Sequence, residues 1–296
     1  MDAYRVEREW LRYEGTPLRE LFRELRERFL RRHTAECRGW VLDAGSGPGR
    51  FSAAIGPPDA PRVLLDLART ALKRAREISP RATGASGGAG PGRWEPVRGD
   101  ALRPPFVPES FGGVVVLGNL LGFAAAPLER PLRVLADLVA PGGMLVVEVA
   151  PGPGERSVYL HRLPPSVVRR ILRAPSRWLE PRIDREGFER LPARRPASAS
   201  PFRRWTVDEL IAAAPTGFTV EAVSAVAPLL GSEPERLEPV RADPISWERL
   251  LAMEEHWGSV RQRWSAAASA LVAFRRAGPE GSAREARGSP QGRSAG

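Results

Sequence analysis

Apolar residues recur at three- and four-residue spacing near the start of the chain: Leu18, Leu21, Phe22, Leu25, Phe29 and Leu30, with charges between them. That period marks one face of a helix, so the N-terminal 36 residues read as helical, with an N-cap hydroxyl at Thr16 and a proline at the first helical position, Pro17. Glu24 with Arg28 and Glu27 with Arg31 sit one turn apart and read as a solvated face. From Trp40 the pattern changes to short apolar runs, WVLDAG, VLLDL, VVVLGNLLGF and MLVVEVA. Between them lie helical periods at 69–78 and 128–139, the second closed by Pro141-Gly142-Gly143. Strand alternating with helix predicts a parallel sheet joined by crossover helices. Farther on, 206–214 reads as a helix capped by Thr206, GFTVEAVSAV as a strand, and ALVAFRR at 270–276 as the last strand.

Composition narrows the picture. With 296 residues, 42% hydrophobic and 27% charged, the chain is long enough to bury a substantial core. The apolar runs are far shorter than the roughly 18 to 20 residues of a membrane helix, and the start MDAYRVEREW has no signal-peptide core. The expectation is a soluble cytoplasmic protein with no membrane span. A single cysteine, Cys37, excludes an internal disulfide, a CxxC redox pair and a cysteine-built zinc site. No HExxH or other metal cluster occurs, so no metal is expected. The stretch SPRATGASGGAGPGR at 79–93 reads as a mobile loop, and the tail GPEGSAREARGSPQGRSAG, lacking aromatic, Leu, Ile and Val residues, as disordered.

The net charge of +10 comes from 45 basic residues, of which only Lys73 is lysine. Such a bias fits GC-rich coding, which enriches Arg, Ala, Gly and Pro together, so location is more informative than the total. Residues 156–204 hold 13 Arg against Glu180, Asp184, Glu186 and Glu189, interleaved with Tyr159, Trp178, Phe188 and Phe202, with Trp205 directly after them. Arginines that solvate one face of cover helices, an anionic small substrate, RNA or an acidic lipid surface all suit that mixture.

Chemistry concentrates in VLDAGSGPGRFS at 41–52: an apolar strand, an acid, then Gly45-x-Gly47-x-Gly49 opening a helix. Glycines let the chain turn sharply and bring backbone amides close to a ligand. A dinucleotide fingerprint wants Gly or Ala at position 50, where this chain has Arg50, which disfavours a dehydrogenase. Asp66 ends the second strand, 17 residues after Gly49, where an acid can accept ribose hydroxyls. Gly99-Asp100-Ala101 follows, then ESFGGVVVLGN. Each feature has a plainer reading: a tight turn for the glycines, and capping or turn chemistry for Asp66 and Asp100.

In this order the motifs resemble the class I S-adenosylmethionine-dependent methyltransferases, in the broad type 11/25-like group acting largely on small molecules. The likeness covers 40–150 well and 206–276 more loosely. It implies an α/β, Rossmann-like, seven-stranded mostly parallel sheet whose final strand is antiparallel. N-terminal helices (1–39), a cofactor-binding core (40–150), an Arg-rich inserted lid (151–205), the rest of the core sheet (206–277) and the tail (278–296) would complete it. S-adenosyl-L-methionine is the implied cofactor. Asp43 and the loop Gly45, Ser46, Gly47 and Gly49 would face its methionine end, Asp66 the ribose, and Asp100 with the backbone of Ala101 the adenine, with Leu67 also among the cofactor-binding residues. Asn119 and Leu120 would lie where cofactor meets acceptor. The NPPY or DPPY tetrad of exocyclic-amine nucleic-acid methyltransferases is absent, as is the paired-glutamate loop of the protein-arginine type. Methyl transfer from a sulfonium needs positioning more than a base. Candidates for a base are His161, Tyr159, Glu148 and Tyr13, while His33 and His256 read as structural. The leading expectation is a small-molecule methyltransferase. The alternatives are an RNA methyltransferase using the lid and a catalytically silent cofactor-binding or interaction protein. Acceptor and oligomeric state are not specified.

Overall fold

The computed structural model describes residues 16–79, 92–124, 127–149, 204–228, 237–267 and 269–278. Nearly all of the predicted glycine-rich loop, lid and tail lies outside these residues. The N-terminal helix α1 spans Pro17–Thr34, and the Thr16 hydroxyl accepts from the Arg19 amide as a cap. Strand β1 (Val41–Ala44) is followed by β2 (Arg62–Asp66), helix α2 (Arg69–Ile78), β3 (Trp94–Arg98) and β4 (Phe111–Val116). Helix α3 (Glu129–Ala136), β5 (Val139–Val149), α4 (Val207–Ala212), β6 (Phe218–Val226), α5 (Glu238–Arg241), α6 (Pro244–Ser259) and β7 (Ser269–Arg276) complete the order.

The strands form one seven-stranded sheet in the order β3-β2-β1-β4-β5-β7-β6. Pairs from β3 through β5 are parallel, and β7 runs antiparallel to both β5 and β6. The sheet is the Rossmann-like, seven-stranded, mostly parallel arrangement with an antiparallel last strand that the sequence resemblance implies. Alternation along the strands divides the core as a pleat requires. Val41, Val115, Met144 and Val146 pack under α1 and α6, whereas Leu42, Val114, Val116, Leu145 and Val147 face Leu132 and Leu135 of α3 and Leu210 of α4. Thr206 and Glu209 form a reciprocal capping box on α4, as its sequence predicts.

Three local expectations change. The glycine loop does not open a full helix: a three-residue 3-10 turn, Ser52–Ala54, follows it and ends before Gly56-Pro57-Pro58. Pro141-Gly142-Gly143 is not a helix stop, because α3 has already ended at Ala136. Those residues instead form an excursion inside β5, where pairing jumps from Phe111↔Val139 to Gly113↔Met144. The charged side of α1 is not simply solvated. Arg31 pairs with Glu27 at 3.0 Å as its spacing predicts, but Arg28 pairs with Glu248 at 2.5 Å and Trp247 Nε1 donates to Glu24 at 3.2 Å, so that side docks onto α6.

The short turn after β1 leaves 55–60 without helical hydrogen bonds, and a buried arginine supplies them. Arg62 Nε donates to the Ile55 carbonyl at 3.0 Å, Nη1 to Ala60 at 2.7 Å and to Pro58 at 3.3 Å, and Nη2 to Pro57 at 2.8 Å. Arg62→Met keeps the apolar stem and removes the guanidinium, leaving the Ile55 and Ala60 carbonyls without that donor, while those of Pro57 and Pro58 still accept from the Ala60 and Gly92 amides. It is expected to lower stability by about 2 kcal/mol, since stranded buried acceptors cost about 1–3 kcal/mol. A urea midpoint unchanged from the parent would show that the cage contributes nothing.

Candidate functional site

The carboxyl ends of β1 to β5 bring most of the predicted residues to one edge of the sheet. Leaving β1, the amides of Gly45 and Ser46 both donate to the Leu65 carbonyl of β2, at 2.8 and 3.1 Å, which draws the glycine loop across the tip of the neighbouring strand. The Gly47 amide then donates to Asp66 Oδ2 at 2.8 Å, and the Ala68 amide to Oδ1 at 2.7 Å. Asp66 thus braces the loop, and each of its oxygens retains a lone pair for another donor. Gly49 has φ +80°, and a Cβ there would lie 2.8 Å from Leu64 Cδ2 and 3.1 Å from the Trp94 ring. Both backbone angle and packing therefore require glycine at 49.

Asp43 sits on the face of β1 that Val41 occupies, so the pleat turns its carboxylate into the core under α1, where it is buried. Ser52 Oγ donates to Asp43 Oδ2 at 2.6 Å. Burial pushes the carboxyl up to about 7, offset in part by the Ser52 hydrogen bond and reinforced by the negative charge of Asp66. Asp100 Oδ1 accepts from the Leu102 amide at 2.8 Å, a turn contact, and Ala101 is buried beside it. Leu67 stands 60% exposed just past Asp66.

After β4 the chain makes two left-handed residues in succession, Gly118 at φ +70° and Asn119 at φ 57°. Asn tolerates that region better than other side chains. The 3-10 turn Leu120–Phe123 follows, and its first residue lies over the glycine loop: Leu120 Cδ1 and Cδ2 are 3.1 Å from where a Cβ on Gly45 would be. Loops from β1 and β4 therefore touch.

Of the candidate bases, Tyr13, Tyr159 and His161 lie outside the described residues. Glu148 lies within them and is not a free base. Its Oε1 accepts from Arg26 Nη2 at 2.6 Å and Nε at 2.9 Å, and Oε2 accepts from the Gly118 amide at 2.9 Å. Burial alone would raise its pKa, but the Arg26 charge and the hydrogen bonds from Arg26, Gly118 and Ser269 carry it below the ordinary glutamate value. A carboxylate so held is a poor proton acceptor. Trp205, taken with the arginine-rich stretch as a base-stacking side chain, is instead buried in the core beside Val207 and Leu210. The rest of that stretch, Arg204 apart, lies outside the described residues. Cys37 is buried, and desolvation pushes its thiol up to about 11, so it stays protonated. Among the described residues, no group of three or more His, Cys, Asp or Glu is arranged to hold a metal ion, and no helix is long and apolar enough to cross a membrane.

Most residues of this edge fall within 41–143, a segment that matches the family model described as a methyltransferase domain. Several solved structures are also similar. One is a chain from the complex between the Haloferax volcanii Trm112 methyltransferase activator and a methyltransferase, at 17% identity and TM-score 0.49, covering 93% of this chain and 94% of that one. Another is the PH0226 protein from Pyrococcus horikoshii OT3, at 17% identity and TM-score 0.47, covering 90% and 98%. A third is a geranyl diphosphate methyltransferase in complex with GPP and sinefungin, at 15% identity and TM-score 0.45, covering 86% and 78%. Similarity at this level specifies neither substrate nor reaction. No curated protein matches the chain. The matched segment holds Asp43, the glycine loop, Asp66, Asp100 and Asn119, whereas Arg26, Glu148 and Ser269, which also meet at this edge, lie outside it.

Sequence reasoning missed three participants. Ser52, the donor to Asp43, follows the glycine motif closely and was legible as a hydroxyl next to a buried acid. Gly118 gave a weaker signal, a glycine between an apolar strand and an asparagine. Arg26 was legible only indirectly: it falls four residues after Phe22 and four before Leu30, inside the apolar stripe of α1, where an unpaired charge is not tolerated.

Proposed function

We propose that this chain is an S-adenosylmethionine-dependent methyltransferase acting on a small-molecule acceptor. The observation carrying the reading is the gathering, on the tips of four adjoining parallel strands, of a left-handed glycine loop, the Asp66 carboxylate, the Gly99-Asp100 turn and the Asn119 turn. Ligands of open α/β sheets bind in the crevice outside the carboxyl ends of the strands.

The residues present suit the cofactor. At Gly47, φ is +55° and nothing lies within 4 Å of the position a Cβ would take, so the loop leaves open space beside its backbone. Asp66 is an acceptor of the kind a ribose diol requires, and the exposed Leu67 beside it offers apolar surface to the nucleoside, while the buried Ala101 can contribute only its backbone. Gly45, Ser46 and Gly49 shape the loop, Asp43 contributes negative charge beneath the methionine end when ionised, and Asp100 is the acceptor toward the adenine. Asn119 and Leu120 mark the boundary with the acceptor. The cofactor supplies a methyl group on a sulfonium, already activated toward displacement, so the task of these side chains is to hold donor and acceptor in line and to exclude water.

Calorimetric titration with S-adenosylmethionine and S-adenosylhomocysteine tests the reading, with NAD as control. Asp66→Ala is expected to weaken binding by about 1–3 kcal/mol, the usual worth of hydrogen bonds to a charged group. Absence of binding by a folded parent, or binding that Asp66→Ala leaves intact, would remove this assignment.

A further inference from the structure

Glu148 stands among apolar residues near the end of β5, on the face covered by α1, and it is buried together with Arg26. A buried pair of this kind rarely gains stability over apolar residues of the same size, so its position invites another explanation. The pair does not end at itself. Arg26 Nη2 also donates to Ser269 Oγ at 2.8 Å, and Nη1 to the Phe22 carbonyl at 2.9 Å, so the guanidinium is fixed from α1 and β7. With Oε1 engaged by Arg26, Glu148 presents Oε2 to the Gly118 amide at 2.9 Å. Gly118 is exposed, it opens the left-handed Gly118-Asn119 turn, and that turn carries Leu120 onto Gly45. A continuous series of contacts therefore runs from the N-terminal helix, through two buried charges, to the loop after β4 and on to the glycine loop of β1.

We propose that Arg26 and Glu148 are positioning residues: the docked N-terminal helix, acting through this pair, holds the Gly118-Asn119 turn in the conformation that receives the cofactor and faces the acceptor. This rests on the cofactor reading above. It assigns α1, outside the segment that matches the methyltransferase domain, a part in ligand binding that packing alone does not require. The carboxylate matters because the amide of a glycine with φ +70° has no regular strand partner, and a charged acceptor outcompetes water for it. Docking of α1 and occupation of the site are then linked, each favouring the other by the same factor.

The test uses the full chain, S-adenosylhomocysteine as probe, and two double variants. Arg26→Met/Glu148→Leu removes both charges and the acceptor for Gly118. Arg26→Met/Glu148→Gln removes both charges and keeps an oxygen that can accept. Calorimetric affinity, thermal midpoint and amide exchange across 117–123 are measured on each. The expected result is about tenfold weaker binding by the leucine variant than by the glutamine variant, within the usual range for coupled sites. Faster exchange in 117–123 should accompany it, with thermal midpoints that do not follow the affinity. Equal affinity in parent and both doubles overturns the proposal, as does an affinity loss that simply tracks the thermal midpoint. Should the leucine variant fail to fold, Arg26→Lys decides. It keeps the charge but gives up the planar fork that spans Glu148 and Ser269, so about threefold weaker binding, beyond what any fall in the midpoint accounts for, is expected, and unchanged affinity overturns the proposal. A parent that binds no S-adenosylhomocysteine overturns the cofactor reading itself, an outcome distinct from normal parental binding that the variants leave untouched.

Discussion

Arg26→Met should destabilise the protein by about 3–5 kcal/mol, the usual consequence of stranding one member of a buried ion pair. The methionine fills the space beside Phe22 and Leu30 but leaves the Glu148 carboxylate in the core with Gly118 and Ser269 as its remaining hydrogen-bond partners among the described residues. Adding Glu148→Leu is expected to recover most of that loss, because the second change removes the stranded charge. Denaturant unfolding of parent, single and double variants at pH 7 checks both statements. A single variant within about 1 kcal/mol of the parent would mean that Glu148 protonates or finds water at little cost, contrary to the geometry. The pair also sets a pH dependence. Because the folded-state pKa of Glu148 lies below its ordinary value of 4.5, its contribution is present above that value and is lost as pH falls through the lowered one. In Arg26→Met/Glu148→Leu this acid-side loss should be smaller.

Asp43→Asn should flatten the opposite limb of the pH profile. Burial raises the Asp43 carboxyl from 3.8 to about 7, so its folded-state pKa exceeds the unfolded one. The group therefore favours folding most when protonated, and that advantage declines as pH rises from about 4 to about 7. The shift amounts to at most about 4 kcal/mol of stability lost between those limits, at 1.36 kcal/mol per unit. Asparagine keeps an oxygen to accept from Ser52 Oγ and never ionises. Urea midpoints at pH 5 and pH 8 should thus diverge in the parent and converge in Asp43→Asn. Parallel behaviour of the two proteins would show that Asp43 keeps an ordinary acidity. Under the proposed cofactor reading there is a second consequence: a cationic ligand above the glycine loop favours the ionised carboxylate, so binding should strengthen from pH 6 to pH 8 in the parent and not in the variant.

How much of this was legible in the sequence depends on the range of each interaction. The run VVV at 114–116 already carried its assignment, since a fully apolar strand must be covered on both faces, and Val115 does face the opposite core from Val114 and Val116. Thr206 and Glu209 announced their capping box because all of its atoms lie within one turn. The left-handed angles at Gly45, Gly47 and Gly49 follow from local backbone needs, and the motif was readable for that reason. The length of the turn after it was not. Ser52–Ala54 stops after three residues because Gly56-Pro57-Pro58 interrupts it, although the glycine motif reads as opening a helix. The side of α1 bearing Glu24 and Arg28 misled in another way. Charges one turn apart look alike whether they meet each other or a second helix, and only α6, more than 200 residues later, separates the two cases.

Glu148 shows where local reading ends. An acid inside MLVVEVA was conspicuous enough to stand among the candidate bases, but the meaning of a buried carboxylate lies in its partner, and Arg26 is 122 residues away in the chain. Residue spacing cannot encode such a contact, because it exists only once α1 has docked on the sheet. By itself the sequence determined the element order, the apolar faces of the strands, the glycine loop and the acids at the strand tips, all products of backbone preference and of a period of two or 3.6. Tertiary structure alone decided which acids are paired, which side chains lie beneath which helix, and that Asp43 and Glu148 end on the same buried face. Desolvation and hydrogen-bond geometry act across the fold rather than along the chain, and they set the protonation and the role of both carboxylates.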